Sequence, residues 1–161
     1  MTIKVGDAVP SATLIKATEA GPQPISTEAL LKGRTVALFS VPGAFTPTCS
    51  AKHLPGYITN ADAMRAAGVD EIVCISVNDA FVMGAWGQSA GAAGKVTMLA
   101  DGNAEFVGLL GLTMDGSRFG MGTRGQRFSM LVKDGVVARL NVEDPGAFSV
   151  SSAEHLMGQL G

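Results

Sequence analysis

Apolar positions along this chain gather in short dense runs, separated by glycine, proline and polar clusters. Thr35–Val41 and Glu71–Val77 are almost unbroken apolar runs bounded by turn formers. A strand with one wet face alternates, so continuous runs of this length predict strands covered on both faces. Val96–Leu99 predicts another short strand. Arg127–Val132 and Val136–Leu140 flank Asp134-Gly135, a strong turn pair, and predict a β-hairpin. Ser26–Leu31 predicts a helical turn closed by Gly33. A helix should follow Cys49, be broken or kinked at Pro55-Gly56, resume over Tyr57–Ala67 and stop at Gly68. Asn78 or Asp79 can cap a helix carrying Phe81, Val82 and Trp86, and a short helix is expected over Ala104–Leu110. Ser151-Ser152-Ala153-Glu154 fits a capping box opening a last helix. The stretch to Pro24 reads as turns with short strands such as Ala12–Ile15. Thr113–Gly125, with glycine at 116, 120, 122 and 125, is the least regular. Helices alternating with buried strands predict an α/β fold: a mixed central β-sheet flanked by helices, with a C-terminal β-hairpin and helix. No linker or internal repeat divides residues 1–161, so one domain is expected.

Composition narrows the function. Of 161 residues, 47% are hydrophobic and 16% charged, which excludes disorder and allows a real core. A net charge of −2 leaves no basic footprint for nucleic acid. No apolar stretch approaches a membrane span. Met1–Asp7 has neither the charged head nor the apolar middle of a signal peptide, so a reducing cytoplasmic location is expected. An organelle copy whose targeting segment had been removed would read the same way. Two cysteines and two scattered histidines, His53 and His155, suggest neither a disulfide framework nor a structural zinc site.

The candidate chemistry lies in Val41-Pro42-Gly43-Ala44-Phe45-Thr46-Pro47-Thr48-Cys49-Ser50. It puts a lone thiol where a strand gives way to a helix. Unpaired N–H groups and the positive end of the helix dipole favour a thiolate there. Thr46 adds a hydroxyl three residues before the sulfur, and Pro42 and Pro47 stiffen the approach. Taken alone, a free cysteine is more often a buried apolar side chain, and a threonine in such a turn more often bonds its own backbone.

Pro42-x-x-x-Thr46-x-x-Cys49 matches the active-site motif of peroxiredoxins, and Val41 through Tyr57 resembles their Prx5, or type II, subfamily. Cys74–Asp79, Leu99–Gly102 and Arg124–Phe128 extend the resemblance over nearly the whole chain in the same order. The resemblance implies a thioredoxin-like fold and a thiol-dependent peroxidase reducing hydrogen peroxide and organic (alkyl) hydroperoxides through a sulfenic acid on Cys49. Arg127 would supply the cation, and Thr46 and Pro42 would shape the pocket. Glutathione, glutaredoxin or thioredoxin would return the sulfur to its thiol, and the protein would form a noncovalent homodimer packed near its active-site edges. No metal, haem, flavin or other cofactor is implied.

Several residues stay open at this level. Cys74 matches a cysteine considered a resolving thiol in plant-type relatives. It lies mid-run in a buried strand, however, and a disulfide needs Cα atoms within about 7 Å, so core packing is the favoured reading. Atypical relatives carry a resolving cysteine near the last helix, whereas Phe148–Ser152 has none. His53, four residues after Cys49, can be an acid, a base or a metal ligand, but the expected fate is a partly exposed helix residue. Arg124 is expected to position Arg127 or serve the dimer surface. Leu112, Met114 and Phe119 are expected to line a rim over the sulfur, and Trp86 and Phe81 to be core or interface residues. Two rival functions share the fold: a thiol–disulfide oxidoreductase, although Thr46 stands where a Cys-x-x-Cys motif needs sulfur, and a redox-sensing module.

Overall fold

The computed structural model describes residues 2–160. Its main sheet has seven strands in the order β2-β1-β5-β4-β3-β8-β9. β3 (Thr35–Ser40), β4 (Glu71–Ser76) and β5 (Thr97–Ala100) run parallel at its centre. β1 (Thr13–Thr18) and β8 (Phe128–Lys133) are antiparallel to that block on either side. The sheet is therefore mixed, as the pattern predicts. Apolar alternation splits the core between its faces. Ala37 and Phe39 of β3 join Tyr57, Cys74, Trp86 and Leu156 on one face, while Val36 and Leu38 join Leu14, Ile75, Phe106 and Phe128 on the other.

Helices cover both faces: α1 (Thr27–Leu31), α2 (Leu54–Thr59), α3 (Ala61–Ala66), α4 (Ala80–Ala90), α5 (Glu105–Leu110) and α6 (Ala153–Leu160). Among the described residues, no helix is long and apolar enough to cross a membrane. Ser26 caps α1, its Oγ accepting from the N–H of Ala29, and Asp79 rather than Asn78 caps α4.

Five local readings change. The opening segment holds a second strand, β2 (Gly21–Ser26), hidden from the pattern by Pro22 and Pro24. Prolines are tolerated there because β2 is the sheet edge and has no neighbour on its outer side. Pro55 does not end its helix. A π-helical turn over Cys49–His53 leads directly into α2, with the N–H of Leu54 bonded to the carbonyl of Cys49. The wider turn takes the carbonyls preceding Pro55 out of α-helical register, relieving the clash a proline makes with the residue four back. The interruption falls instead at Asn60, which separates α2 from α3. Thr113–Gly125 contains a small antiparallel ladder, β6 (Thr113–Asp115) with β7 (Thr123–Gly125), around a 3₁₀ turn at Ser117–Phe119. Finally, Ser152 rather than Ser151 caps α6, its Oγ accepting from the N–H of His155 at 3.1 Å.

The terminal hairpin of β8 and β9 (Val136–Val142) turns on Asp134 and Gly135, with φ of 49° and 77°. Two consecutive positive φ angles are the type I′ geometry that suits strand twist. Gly135→Ala should lower the unfolding free energy by about 1 kcal/mol, read as a lower urea midpoint at constant slope. An unchanged midpoint would show that the turn carries no such strain.

Candidate active site

The chain leaves β3 at Val41, whose N–H still bonds the carbonyl of Ile75 at 3.1 Å. It then turns sharply through Pro42, Gly43, Ala44 and Phe45 into a helical turn. A Cβ on Gly43 would lie 3.1 Å from Thr46 Cγ2 and 3.3 Å from Met121 Cε, so a side chain here would push those two groups back by a few tenths of an ångström. Phe45 adopts a left-handed φ of 64°. The Asn78 side-chain oxygen accepts from the N–H of Ala44 at 3.0 Å and from Ser76 Oγ at 2.6 Å, tying the turn to the end of β4. Pro47 opens the helix where a missing N–H costs nothing. The first helical bond runs from the N–H of Ser50 to the carbonyl of Thr46 at 2.9 Å. Cys49 therefore sits in the first turn, fully buried, after N–H groups that precede any intrahelical partner.

Arg127 reaches this sulfur through sheet pairing. β8 lies antiparallel beside β3 with Ser40 opposite Phe128, so the residue just before β8 lands beside the loop that follows β3. Arg127 precedes the strand rather than lying within it. One guanidinium nitrogen, Nη2, donates to Cys49 Sγ at 3.0 Å, and Nη1 donates to His53 Nδ1 at 2.8 Å. The Phe148 ring centroid is 5.9 Å from the guanidinium carbon and 5.0 Å from the His53 ring, which it meets edge-on.

His53 is not the partly exposed residue expected: it is fully buried. Its Nε2 lies 3.0 Å from the carbonyl of Ser151, which can only accept, while Arg127 can only donate to Nδ1. These two partners select the neutral imidazole with its proton on Nε2. Burial, and then the charge of Arg127, push the His53 pKa down to about 3. The same Ser151 carbonyl accepts from the Tyr57 hydroxyl at 2.9 Å. Tyr57 stacks on Phe39 with centroids 3.9 Å apart, and burial holds its phenol well above its ordinary pKa.

The other expected site residues fall as follows. Pro42 and Thr46 lie in the turn that delivers Cys49. The Thr46 hydroxyl donates to the carbonyl of Gly43 at 2.7 Å and not to the sulfur, which leaves its lone pairs to accept. Arg124 does not brace Arg127. Its Nε donates to the Met121 carbonyl at 2.8 Å and its Nη1 to that of Val77 at 2.9 Å, so it clamps the glycine-rich segment to the end of β4. Leu112 packs in the core on the far face of the sheet and Phe119 is 75% exposed; Met121 is the apolar residue that reaches the turn. Phe81 is likewise 75% exposed, whereas Trp86 is buried and donates its indole N–H to Ser50 Oγ at 3.0 Å.

Cys74 lies mid-strand in β4, between Phe39 of β3 and Met98 of β5, fully buried and free. Burial, with the nearby Cys49 adding to it, pushes its thiol well above the ordinary value. His53, expected at the surface, belongs to the site, together with Tyr57, Phe148 and the carbonyl of Ser151, which no motif marks. Only His53 carried a signal, its four-residue spacing from Cys49.

A histidine held neutral in the fold but free to protonate when unfolded makes stability depend on pH. The unfolded chain binds more protons below pH 6.5, so stability is full above that value and is lost as pH falls toward 3. Glu143, also held below its ordinary range, adds loss in the same direction at lower pH. Between pH 6 and 5 the unfolding free energy should fall by up to ~1.4 kcal/mol, measured by urea titration. His53→Gln should flatten that slope; an equal slope in the variant would place the titration elsewhere.

The Redoxin family model matches residues 4–157. Among curated proteins, rice chloroplastic peroxiredoxin-2E-2 is 49% identical over 99% of this chain and 73% of its own length. Peroxiredoxin-2B of Arabidopsis thaliana is 47% identical over 98% of both chains. The crystal structure of reduced Prx3 from Vibrio vulnificus in complex with hydrogen peroxide superposes with a TM-score of 0.95 at 50% identity, covering 99% of this chain and 100% of that one. A guanidinium on a buried first-turn sulfur, in a mixed sheet of this order and with relatives this similar over their length, has one reading: the chain belongs to the redoxin family, as a peroxiredoxin of the Prx5 (type II) subfamily.

Proposed function

We infer that this peroxiredoxin is a thiol-dependent peroxidase with Cys49 as its nucleophile. The observation that carries the assignment is the 3.0 Å bond from Arg127 Nη2 to Cys49 Sγ. A guanidinium donor binds a thiolate far more strongly than a thiol, and the thiolate is the nucleophile. Attack on R–O–O–H forms an S–O bond and breaks the O–O bond. The sulfur becomes Cys–SOH, and the departing alkoxide or hydroxide takes a proton from solvent to give ROH or water. Negative charge on the separating oxygens is met by Arg127 and by the first-turn N–H groups of Thr48 and Cys49. The lone pairs of Thr46 can accept the peroxide O–H, since its own proton is given to Gly43. Pro42 keeps the turn stiff and the sulfur shielded. Hydrogen peroxide and small alkyl hydroperoxides are the substrates proposed; the Vibrio relative's complex with hydrogen peroxide supports the first of them.

Recycling falls to an external thiol: glutathione, glutaredoxin or thioredoxin. One thiol displaces water from Cys–SOH to form a mixed disulfide, and a second releases Cys49. Cys74 is enclosed in the sheet, and Phe148–Ser152 offers no sulfur. Thr46, where a Cys-x-x-Cys motif needs sulfur, and the mid-strand position of Cys74 weigh against a thiol–disulfide oxidoreductase, which needs a second thiol beside the first. Phe45, Phe81 and Phe119, which are 53%, 75% and 75% exposed, give the protomer apolar surface for a homodimer near the active-site edges. A reducing compartment suits two free thiols, and the cytoplasm is the location proposed; chloroplastic relatives show that close kin also work in an organelle.

Cys49→Ser should abolish peroxide consumption in a coupled assay with glutathione and glutaredoxin; unchanged turnover would end this reading. Arg127→Gln should lower the rate by about 10²-fold or more, as removal of a charge-stabilising donor does elsewhere. Cys74→Ser should retain turnover, and mass spectrometry of peroxide-treated protein should show Cys49 sulfenate, or a glutathione adduct when glutathione is present. A mapped Cys49–Cys74 bridge with lost turnover in Cys74→Ser would establish internal resolution instead.

A further inference from the structure

Glu143 follows β9 and is a buried carboxylate that the peroxidase chemistry does not use. It makes no hydrogen bond to the sulfur or to the guanidinium. Its Oε2 accepts from the N–H of Ser149 at 2.8 Å, the N–H of Ser151 at 2.8 Å and the Ser151 hydroxyl at 2.6 Å. Its own N–H bonds the carbonyl of Arg127 at 3.0 Å. One residue thus holds the backbone of Arg127 and the segment that faces the Arg127 side chain from the other side.

From Ser151 the connections continue inward. Its carbonyl accepts from His53 Nε2 and from Tyr57, His53 Nδ1 accepts from Arg127 Nη1, and Arg127 Nη2 donates to Cys49. Each step depends on the direction of the one before. A displaced Ser151 carbonyl no longer holds the His53 proton on Nε2, and a His53 without a free Nδ1 lone pair no longer holds Nη1. A guanidinium is a planar fork, so loss of one directed bond turns the other.

We propose that Glu143 is a positioning residue of the peroxidatic centre, acting through Ser151 and His53 to aim the Arg127 guanidinium at Cys49. Its carboxylate is kept ionised for this purpose. Burial pushes its pKa up, but the Ser151 hydroxyl and the N–H groups of Ser149, Val150 and Ser151 outweigh that and hold it below the ordinary range. Charge matters because three donors converge on one oxygen, and hydrogen bonds to an ionised acceptor are about twice as strong as neutral ones.

The proposal rests on Cys49 being the reactive sulfur, so its test avoids peroxide. Cys49 is alkylated with iodoacetamide across pH, with mass spectrometry confirming the site. In Glu143→Ala the alkylation rate near neutral pH should fall about tenfold, an effect within the range a neighbouring guanidinium controls. Glu143→Gln, which keeps an acceptor oxygen but loses the charge, should recover only part of that loss. A folded Glu143→Ala protein with the wild-type profile overturns the proposal while leaving the peroxidase reading intact. Should Glu143→Ala not fold, ¹⁵N spectra of the wild-type imidazole decide. Nε2 protonated and Nδ1 bare at neutral pH is the expected His53 pattern, and a proton on Nδ1 overturns the proposal.

Discussion

A guanidinium in hydrogen-bond contact with a buried sulfur is the constraint around which this protein is arranged. Burying a cation or a thiolate alone costs several kcal/mol, and the cost is offset only when geometry is close and remaining donors are satisfied. Arg127 meets both conditions with directed bonds to Cys49 and His53 and an aromatic ring beside it. The partners lie 78 residues apart in sequence. What brings them together is the antiparallel pairing of β3 with β8, which sets the end of one strand beside the start of the other.

The π-helical turn is the second device. A regular α-helix entering Pro55 would be strained by the proline ring. The widened turn over Cys49–His53 absorbs that strain and carries Cys49 and His53 to the two nitrogens of one guanidinium. His53 must be neutral there, since an imidazolium against Arg127 would repel it and would have no lone pair to offer. The Ser151 carbonyl settles the tautomer, because it can only accept and so requires the imidazole proton on Nε2.

Cys49 and Cys74 show how far environment decides chemistry. Both are free, fully buried and part of one core cluster. Cys74 lies mid-strand between Phe39 and Met98, where burial dominates and the neutral thiol is kept. Cys49 lies at a helix start with a guanidinium donor in contact. The same residue type packs the sheet in one place and is the proposed nucleophile in the other.

The strands of the central sheet, the Asp134-Gly135 hairpin and the Pro42–Thr46–Cys49 turn could be read from the chain because each rests on local periodicity, turn chemistry or a contiguous motif. Arg127 was legible only through family resemblance. β2 was not, since Pro22 and Pro24 argue against a strand until its place at the sheet edge is known. Nor was the cap at Ser152, because Ser151 looks equally able to cap until its hydroxyl is seen on Glu143. Tyr57, Phe148 and Glu143 were beyond local reading for the same reason, and His53 offered only its four-residue spacing from Cys49. Their roles come from contacts among segments far apart in sequence, and in this chain a backbone carbonyl, which has no letter of its own, joins several of them.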